Sequence, residues 1–183
     1  DARMSFYLST LLLIYVYVMR FYWQNRKDRI RKNRLLIGAP AFFCILAVAC
    51  QIFYIPTDAR WQKINSVLSG RLELGCFGWR DYGFSLLGTK IEWIGFSHNA
   101  TAGTYNYVDC SYMQILLENG LIPLIIIIAV YTYIMYMAVK EKDFYLQTAV
   151  LLITAFSITE PRLLNLAYNP LPFFGITYIS LRG

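Results

Sequence analysis

The stretch that decides the fold is Leu121–Val139, which reads LIPLIIIIAVYTYIMYMAV and contains no charged residue. The hydrocarbon core of a bilayer is about 30 Å thick and requires roughly 20 apolar helical residues to cross it. Leu35–Ile55 has the same character, with Pro40 in the first two turns of the predicted helix, where a missing backbone donor is tolerated. The sequence therefore predicts that both of these runs cross the membrane.

Three further apolar runs lie outside these two. Met4–Trp23 carries a single charge, Arg20, near its end, where the side chain can reach the interface. Phe144–Thr159 is uncharged and slightly short for a span. Leu171–Leu181 is too short to cross, so we interpret it as a re-entrant segment or the start of a final helix. The first and fourth runs are predicted to cross the membrane as well.

The composition supports this interpretation. Apolar residues make up 57% of the 183 residues and charged residues only 15%, against about 25% in a typical soluble domain. The mean hydropathy is +0.44. We therefore expect an all-α, polytopic integral membrane protein with about four transmembrane helices, a short C-terminal apolar segment and one large extracytoplasmic loop. Residues 1–183 form a single transmembrane domain, and the loop comprises residues 56–109.

The distribution of positive charge predicts the orientation. Six of the seventeen basic residues lie within Arg26–Arg34, directly after the first apolar run. Short loops rich in Lys and Arg remain cytoplasmic, and the other short polar loop, Lys140–Asp143, falls on the same side by parity. Residues 56–109 are then outside. We attribute the basic block to contact with anionic membrane lipids, and we predict no nucleic-acid partner.

The external loop is the only long polar stretch. It holds seven of the eleven glycines and the sole histidine, His98. Glycine allows close backbone approach and unusual turns. The loop also contains Trp61, Trp79 and Trp93, whose rings suit either sugar contacts or a headgroup boundary. Helical spacing predicts one short helix over Ala59–Leu68 and a second over Leu72–Tyr82.

Three motifs in and after this loop resemble one protein family. Asn65–Leu72, reading NSVLSGRL, is similar to the "N…SGR" element of bacterial O-antigen and capsule polymerases, which are related to O-antigen ligases. Tyr82–Gly95 resembles a segment of these polymerases in which glycines recur at intervals. Val108–Ile122, reading VDCSYMQILLENGLI, resembles their passage into a membrane helix. The resemblance covers about residues 65–139 and implies that this chain corresponds to a C-terminal portion of a longer protein.

The resemblance implies a membrane glycosyltransferase of the bacterial cytoplasmic (inner) membrane. Such an enzyme polymerises oligosaccharide repeat units carried on undecaprenyl diphosphate into a surface polysaccharide, outside the cytoplasmic membrane. The implied partners are the lipid-linked oligosaccharide, and flippase and chain-length regulator proteins. The chain lacks clustered carboxylates for a divalent ion and has no C-x-x-C pattern, so no metal and no cofactor is expected. The alternatives are ligase-type glycan transfer and a transporter or flippase fragment without catalysis.

A diphosphate leaving group accumulates negative charge, which a guanidinium stabilises in bidentate fashion. Arg71 is the first candidate because it lies in the motif just after a predicted helix end. The alternatives for Arg71 are a salt bridge with Glu73 and a contact with a lipid headgroup. The remaining substrate-binding candidates are Arg80, Lys90, Arg162 and Trp93.

The attacking sugar hydroxyl requires a base. Asp109 is the first candidate, since it opens the passage leading into the membrane helix, and His98 is its rival. Related ligases carry a His-Asn pair at the position that reads Asp109-Cys110 here, which lowers the ranking of a ligase. Glu160 follows the fourth apolar run, so we expect it on the same, outer side of the membrane as Asp109. Cys76 and Cys110 both lie on the predicted oxidising side of the membrane, so a disulfide between them can form.

Overall fold

The computed structural model describes residues 34–94, 107–165, 169 and 171, together with Thr10, Ile14 and Tyr17. All regular secondary structure within these ranges is helical, which confirms the predicted all-α class. Apart from the three single residues, the predicted span Met4–Trp23 lies outside the described part of the chain. So do residues 24–33 of the basic block, the candidate base His98, and the segment 172–181.

A 3₁₀ turn at Arg34–Gly38 leads into the first of six helices in the described ranges. The helices are α1 (Ala39–Ile52), α2 (Ala59–Val67), α3 (Arg71–Tyr82), α4 (Ser111–Glu118), α5 (Leu121–Lys140) and α6 (Phe144–Phe156).

Two of these helices are long and apolar enough to cross a membrane. They are Arg34–Ile52, which joins the 3₁₀ turn to α1 over 19 residues, and α5, with 20 residues. At 1.5 Å per residue, the 13 residues of α6 extend about 20 Å, which is short of a bilayer core of about 30 Å. The prediction that Phe144–Thr159 forms one continuous span is not confirmed, because residues 157–159 form a turn.

The core lies where α4 packs among α1, α5 and α6. Its centre is formed by Tyr112, Met113, Met135 and Val150, all fully buried. The Tyr112 hydroxyl donates to the carbonyl of Thr154 at 2.6 Å, so the ring is buried without leaving its polar atom unpaired. This contact fixes α4, the short helix that follows the loop, to α6.

The helix α3 lies flat against α1 and α4 because two of its positions carry no side chain. A Cβ on Gly75 would lie 1.6 Å from Gln51 Oε1 of α1. A Cβ on Gly78 would lie 3.0 Å from side-chain atoms of Leu117 and Val108. The part of the predicted external loop that forms α3 is therefore packed onto the bundle rather than free in solvent.

The two loop helices follow the sequence prediction closely. The Asp58 side chain accepts a hydrogen bond from the backbone N–H of Arg60 at 2.7 Å and caps α2. The chain then reverses through Ser69 and Gly70, whose φ angles of +55° and +83° lie in the left-handed region. Both helices are confirmed, with bounds that differ from the prediction by one residue.

The C-terminal ends of α1 and α6 and the N-terminal end of α5 lie together, and α3 and α4 pack there. The backbone N–H of Ser111 donates to the carbonyl of Ser157 just after α6, and that of Leu121 donates to the carbonyl of Ser85. We call this the loop end of the bundle. The turn between α5 and α6, with Lys140 and Lys142, lies at the opposite end.

Candidate functional site

Arg71 is the first residue of α3, and the residues of the preceding motif stabilise the N-terminus of that helix. Buried Asn65 accepts hydrogen bonds through Oδ1 from the backbone N–H groups of Leu72 at 3.1 Å and Glu73 at 3.3 Å. These bonds satisfy two of the helix donors that would otherwise lack a partner. The left-handed Gly70 precedes Arg71 directly. The "N…SGR" pattern therefore determines where α3 begins and where Arg71 is presented.

A cation in the first turn of a helix opposes the helix dipole by about 0.3–1 kcal/mol, so helix stability does not explain why an arginine stands at position 71. The ion pairs of its side chain explain it. Nε donates to Asp109 Oδ2 at 3.1 Å, and Nη2 donates to Glu160 Oε1 at 3.5 Å. The side chain is 9% exposed, and a buried guanidinium needs such partners to offset its lost hydration. The three residues come from α3, from the segment before α4 and from the segment after α6.

Arg162 extends this group. Its Nε lies 3.6 Å from Glu160 Oε2, and its side chain is half exposed. We call Arg71, Asp109, Glu160 and Arg162 the ion-pair cluster; its two guanidiniums and two carboxylates balance in formal charge. Arg71 Nη1 is buried and has no hydrogen-bond partner within the described ranges. A buried donor without a partner is rare and calls for an acceptor.

Ser111 connects the cluster to α4. Its Oγ donates to the Glu160 carbonyl at 2.5 Å and accepts from the Leu163 backbone N–H at 3.2 Å. Its own backbone N–H donates to the Ser157 carbonyl at 2.9 Å. The first residue of α4 therefore holds the segment that carries Glu160 and Arg162. Sequence reasoning assigned no role to Ser111, because only the fold brings residues 111 and 160 together.

Of the predicted site residues, Arg71, Asp109 and Arg162 are brought together. Arg80 is exposed and lies nine residues further along α3, or about 13 Å along the helix axis. Lys90 is exposed in the segment that follows α3. Glu73, the alternative partner for Arg71, instead accepts a hydrogen bond from Asn65 Nδ2 at 3.3 Å.

Trp93 belongs to a second group at the C-terminal ends of α3 and α4. Its Nε1 donates to Glu118 Oε2 at 3.1 Å. The rings of Tyr82 and Tyr107 each lie 6.0 Å from its ring in edge-on geometry. Trp93, which the sequence predicted to bind substrate with Arg71, is therefore separate from it. Trp93 contacts the C-terminal end of α4, whereas the ion-pair cluster lies at the N-terminal end.

A polar cavity of about 280 Å³ lies between α4 and the segment after α6. One wall is a face of α4 that runs from Ser111 through Gln114 to Glu118 and Asn119. The other wall is formed by the segment after α6, including Pro161 and Leu164. The lining thus includes Pro161, which follows Glu160 in the chain, and the glutamate that binds Trp93.

An apolar groove of about 910 Å³ runs between the two candidate spans. Ile45 and Val48 of α1 face Ile125 and Ile128 of α5 across it. Phe53, just after α1, also lines it at the loop end. The groove is of the size and chemistry that a hydrocarbon chain requires.

Cys76 and Cys110 are free thiols, so the disulfide that the sequence left open is not formed. Cys76 Sγ lies 3.8 Å from the Tyr54 carbonyl, in a small apolar cluster of its own. Cys110 packs in the main core. Burial raises the pKa of its thiol, and the nearby charge of Asp109 contributes a smaller part.

The described residues contain no cluster of three or more His, Cys, Asp or Glu side chains with metal-site geometry.

Comparisons with known proteins return no family model, no curated protein and no solved structure that matches this chain. The resemblance of residues 65–139 to polysaccharide polymerases therefore remains a prediction.

Proposed function

We propose that this chain is part of an integral-membrane glycosyltransferase that polymerises oligosaccharide repeat units carried on undecaprenyl diphosphate. The observation that supports this most is the contact of buried Arg71 with Asp109 and Glu160 at the loop end of two apolar helices. A lipid-linked substrate needs charged chemistry at a membrane surface with an apolar path beside it. The ion-pair cluster and the apolar groove together meet that need.

In this proposal the loop end faces outward from the bacterial cytoplasmic membrane. The charge pattern supports it, since Arg34, Lys140 and Lys142 lie at the opposite end, and positive residues in short loops favour the cytoplasmic side. Met4–Trp23 and Phe144–Thr159 complete the four proposed spans.

The proposed reaction is attack by an acceptor sugar hydroxyl on the anomeric carbon of the lipid-linked glycan. The new glycosidic bond forms as the bond from that carbon to the diphosphate oxygen breaks, and the hydroxyl proton passes to Asp109. A positioned base of this kind contributes about 10²–10⁴-fold. Arg71 Nε, 3.1 Å from Asp109 Oδ2, holds the carboxylate in one orientation.

The leaving diphosphate requires positive charge. Two carboxylates already balance much of the charge of Arg71, but its Nη1 remains an unused donor. Arg162 is half exposed, and its guanidinium supplies a second positive charge, 3.6 Å from the other carboxylate oxygen of Glu160. We assign the diphosphate to these two groups, because guanidinium binds phosphate oxygens in a geometry that lysine does not reproduce. The reaction needs no metal in this scheme.

The apolar groove supports the same assignment. A polyprenyl carrier keeps its hydrocarbon chain in the membrane while its diphosphate stays at the surface. The groove runs along α1 and α5 to the loop end, where Phe53, Leu116 and Leu121 line it, and the ion-pair cluster lies at the same end of the bundle.

The other two functions are less well supported. A transporter is expected to place ionisable residues inside its spans. Between Leu35 and Ile52, and between Leu121 and Val139, the sequence contains no Asp, Glu, Lys, Arg or His. A ligase of the related kind would be expected to carry a His-Asn pair where Asp109-Cys110 stands.

The test is Arg71→Ala and Arg71→Lys in the full-length protein, with polysaccharide chain length in cells as the readout. Arg60→Ala is the matched control, since Arg60 is an exposed arginine on α2. We expect single repeat units to accumulate with Arg71→Ala, partial polymerisation with Arg71→Lys, and normal polymer with the control. Normal chain length in an Arg71→Ala protein that reaches the membrane would refute the assignment.

A further inference from the structure

We infer that the polar cavity beside α4 binds one neutral sugar residue, which Gln114, Glu118 and Asn119 hold close to the backbone of Glu160. That this sugar is the acceptor of the proposed transfer rests on the proposed function. The binding itself follows from the cavity's size, position and lining, and it can be measured without any polymerisation.

The position of the cavity places a ligand along α4, close to the backbone of the segment that carries Glu160 and Arg162. Ser111, Gln114 and Glu118 lie on successive turns of one face of α4, so the cavity extends along this helix. Its first residue, Ser111, donates to the backbone carbonyl of Glu160. A sugar in the cavity would therefore have one edge near the backbone of Glu160.

The size sets an upper limit on the ligand. The volume of about 280 Å³ lies just below the range of roughly 300–1,000 Å³ that holds drug-sized molecules. A single pyranose ring is smaller than such a molecule and fits this volume, whereas a tri- or tetrasaccharide would have to extend out of it. The cavity is thus a subsite for one residue of a glycan.

The two walls differ in the way that a sugar ring requires. The amides of Gln114 and Asn119 have no hydrogen-bond partner within the described ranges, and an amide both donates and accepts. Glu118 uses Oε2 for Trp93, which leaves Oε1 as an acceptor. Pro161 and Leu164 form the facing apolar wall. Hydroxyl groups match the first wall, and the C–H face of a pyranose ring matches the second.

The charge of the lining discriminates among sugars. The lining includes the carboxyl group of Glu118 and no basic side chain among the described residues. Arg162 does not line the cavity, and its guanidinium is paired with Glu160, whose Oε2 lies 3.6 Å from Nε. A uronic acid would bring a second carboxylate toward Glu118 without a cation to compensate it, and such like-charge approach is a common source of selectivity. We therefore assign the cavity to neutral sugars and exclude acidic ones.

The test is saturation-transfer NMR on the purified full chain in detergent micelles, with glucose, N-acetylglucosamine and glucuronic acid as probes. We expect transfer to at least one neutral sugar and at least tenfold weaker binding of glucuronic acid. Gln114→Ala should weaken the neutral sugar about tenfold, equivalent to roughly 1.4 kcal/mol. Leu164→Trp should abolish binding by filling the mouth of the cavity, and Lys63→Ala, on exposed α2, is the control.

Each contrary result overturns the inference: no transfer to either neutral sugar in a folded sample, equal binding of glucuronic acid, or undiminished binding by Leu164→Trp. Circular dichroism and thermal melting of each variant establish that it is folded. The two proposals fail separately. Sugar binding with polymerisation that is insensitive to Arg71 would refute the proposed function alone, whereas Arg71-dependent polymerisation without sugar binding would refute the cavity assignment alone.

Discussion

Gly88 and Gly120 pack backbone against backbone: a Cβ on Gly120 would lie 2.4 Å from the Gly88 nitrogen. Both residues have φ near +90°, at +87° and +96°, where an L side chain is strained. The backbone N–H of Leu121 donates to the Ser85 carbonyl at 3.0 Å beside this contact, and that of Ile122 donates to the Leu86 carbonyl at 3.2 Å. The segment after α3 is thereby fixed to the junction of α4 and α5, next to the polar cavity.

This contact predicts a strong effect of one methyl group. Gly120→Ala should lower the free energy of unfolding by about 2 kcal/mol or more, because it adds steric overlap to an unfavourable φ. Gly38→Ala is the control, since Gly38 has φ of −79° and an added methyl group there would meet no atom within 4 Å. Thermal unfolding in detergent measures both. Equal melting temperatures for the two variants would contradict the packing of Gly88 on Gly120.

The second prediction concerns the motif that presents Arg71. Asn65→Ala removes the side-chain acceptor for the N–H groups of Leu72 and Glu73 and should cost about 1–2 kcal/mol of stability. It should also shorten the polysaccharide, because α3 no longer begins firmly at Arg71. Lys63→Ala, an exposed position of α2, should change neither. An Asn65→Ala protein with wild-type melting and polymer length would show that the capping bonds do not position Arg71.

The third prediction isolates the ion pair between Arg71 and Asp109. Either Arg71→Gln or Asp109→Asn leaves a partly buried charge without its partner, and each should lower stability by up to about 3 kcal/mol. The double variant should lose less than the sum of the two, since no unpaired charge remains at the contact. A double-mutant cycle on thermal unfolding measures this coupling. Strict additivity would argue against a stabilising interaction across the 3.1 Å contact.

The fourth prediction separates Asp109 from Glu160 in catalysis. If Asp109 accepts the hydroxyl proton, Asp109→Asn should reduce polymerisation at least about 10²-fold. Glu160→Gln removes one partner of Arg71 but no base, so a smaller loss is expected. The two side chains are comparably buried, at 24% and 19% exposed, which makes the variants a matched pair. Rates from purified lipid-linked substrate measure both, and a larger loss with Glu160→Gln would reverse the assignment.

The fifth prediction concerns the thiols. Burial raises the pKa of Cys110, so at neutral pH its reactive thiolate is scarcer than in an exposed cysteine. Cys76 and Cys110 should resist maleimide in the folded protein and react after denaturation. Mass spectrometry of labelled digests measures this. A linked Cys76–Cys110 peptide in a non-reducing digest would contradict the free thiols of the structure.

Several site features were predictable from local sequence and several were not. The helix pair Ala59–Val67 and Arg71–Tyr82 was predictable, because apolar spacing and Ser69-Gly70 are local signals. Arg71 was selected for its motif, but its contact with Glu160 joins residues 89 positions apart, which no local pattern encodes. The Glu73 alternative was wrong for the same reason: proximity along the chain favoured it, whereas the cap by Asn65 engages Glu73 instead.

By itself, the sequence determined the helical class and the two apolar helices long enough to cross a membrane, because composition and periodicity act over neighbouring residues. Only the tertiary structure decided which side chains meet at the loop end. Arg71, Asp109 and Glu160 are joined because α3 packs through Gly75 and Gly78 onto its neighbours, and because Ser111 holds the segment after α6. Those contacts depend on the fit of distant surfaces, and the burial of one guanidinium then requires the two carboxylates beside it.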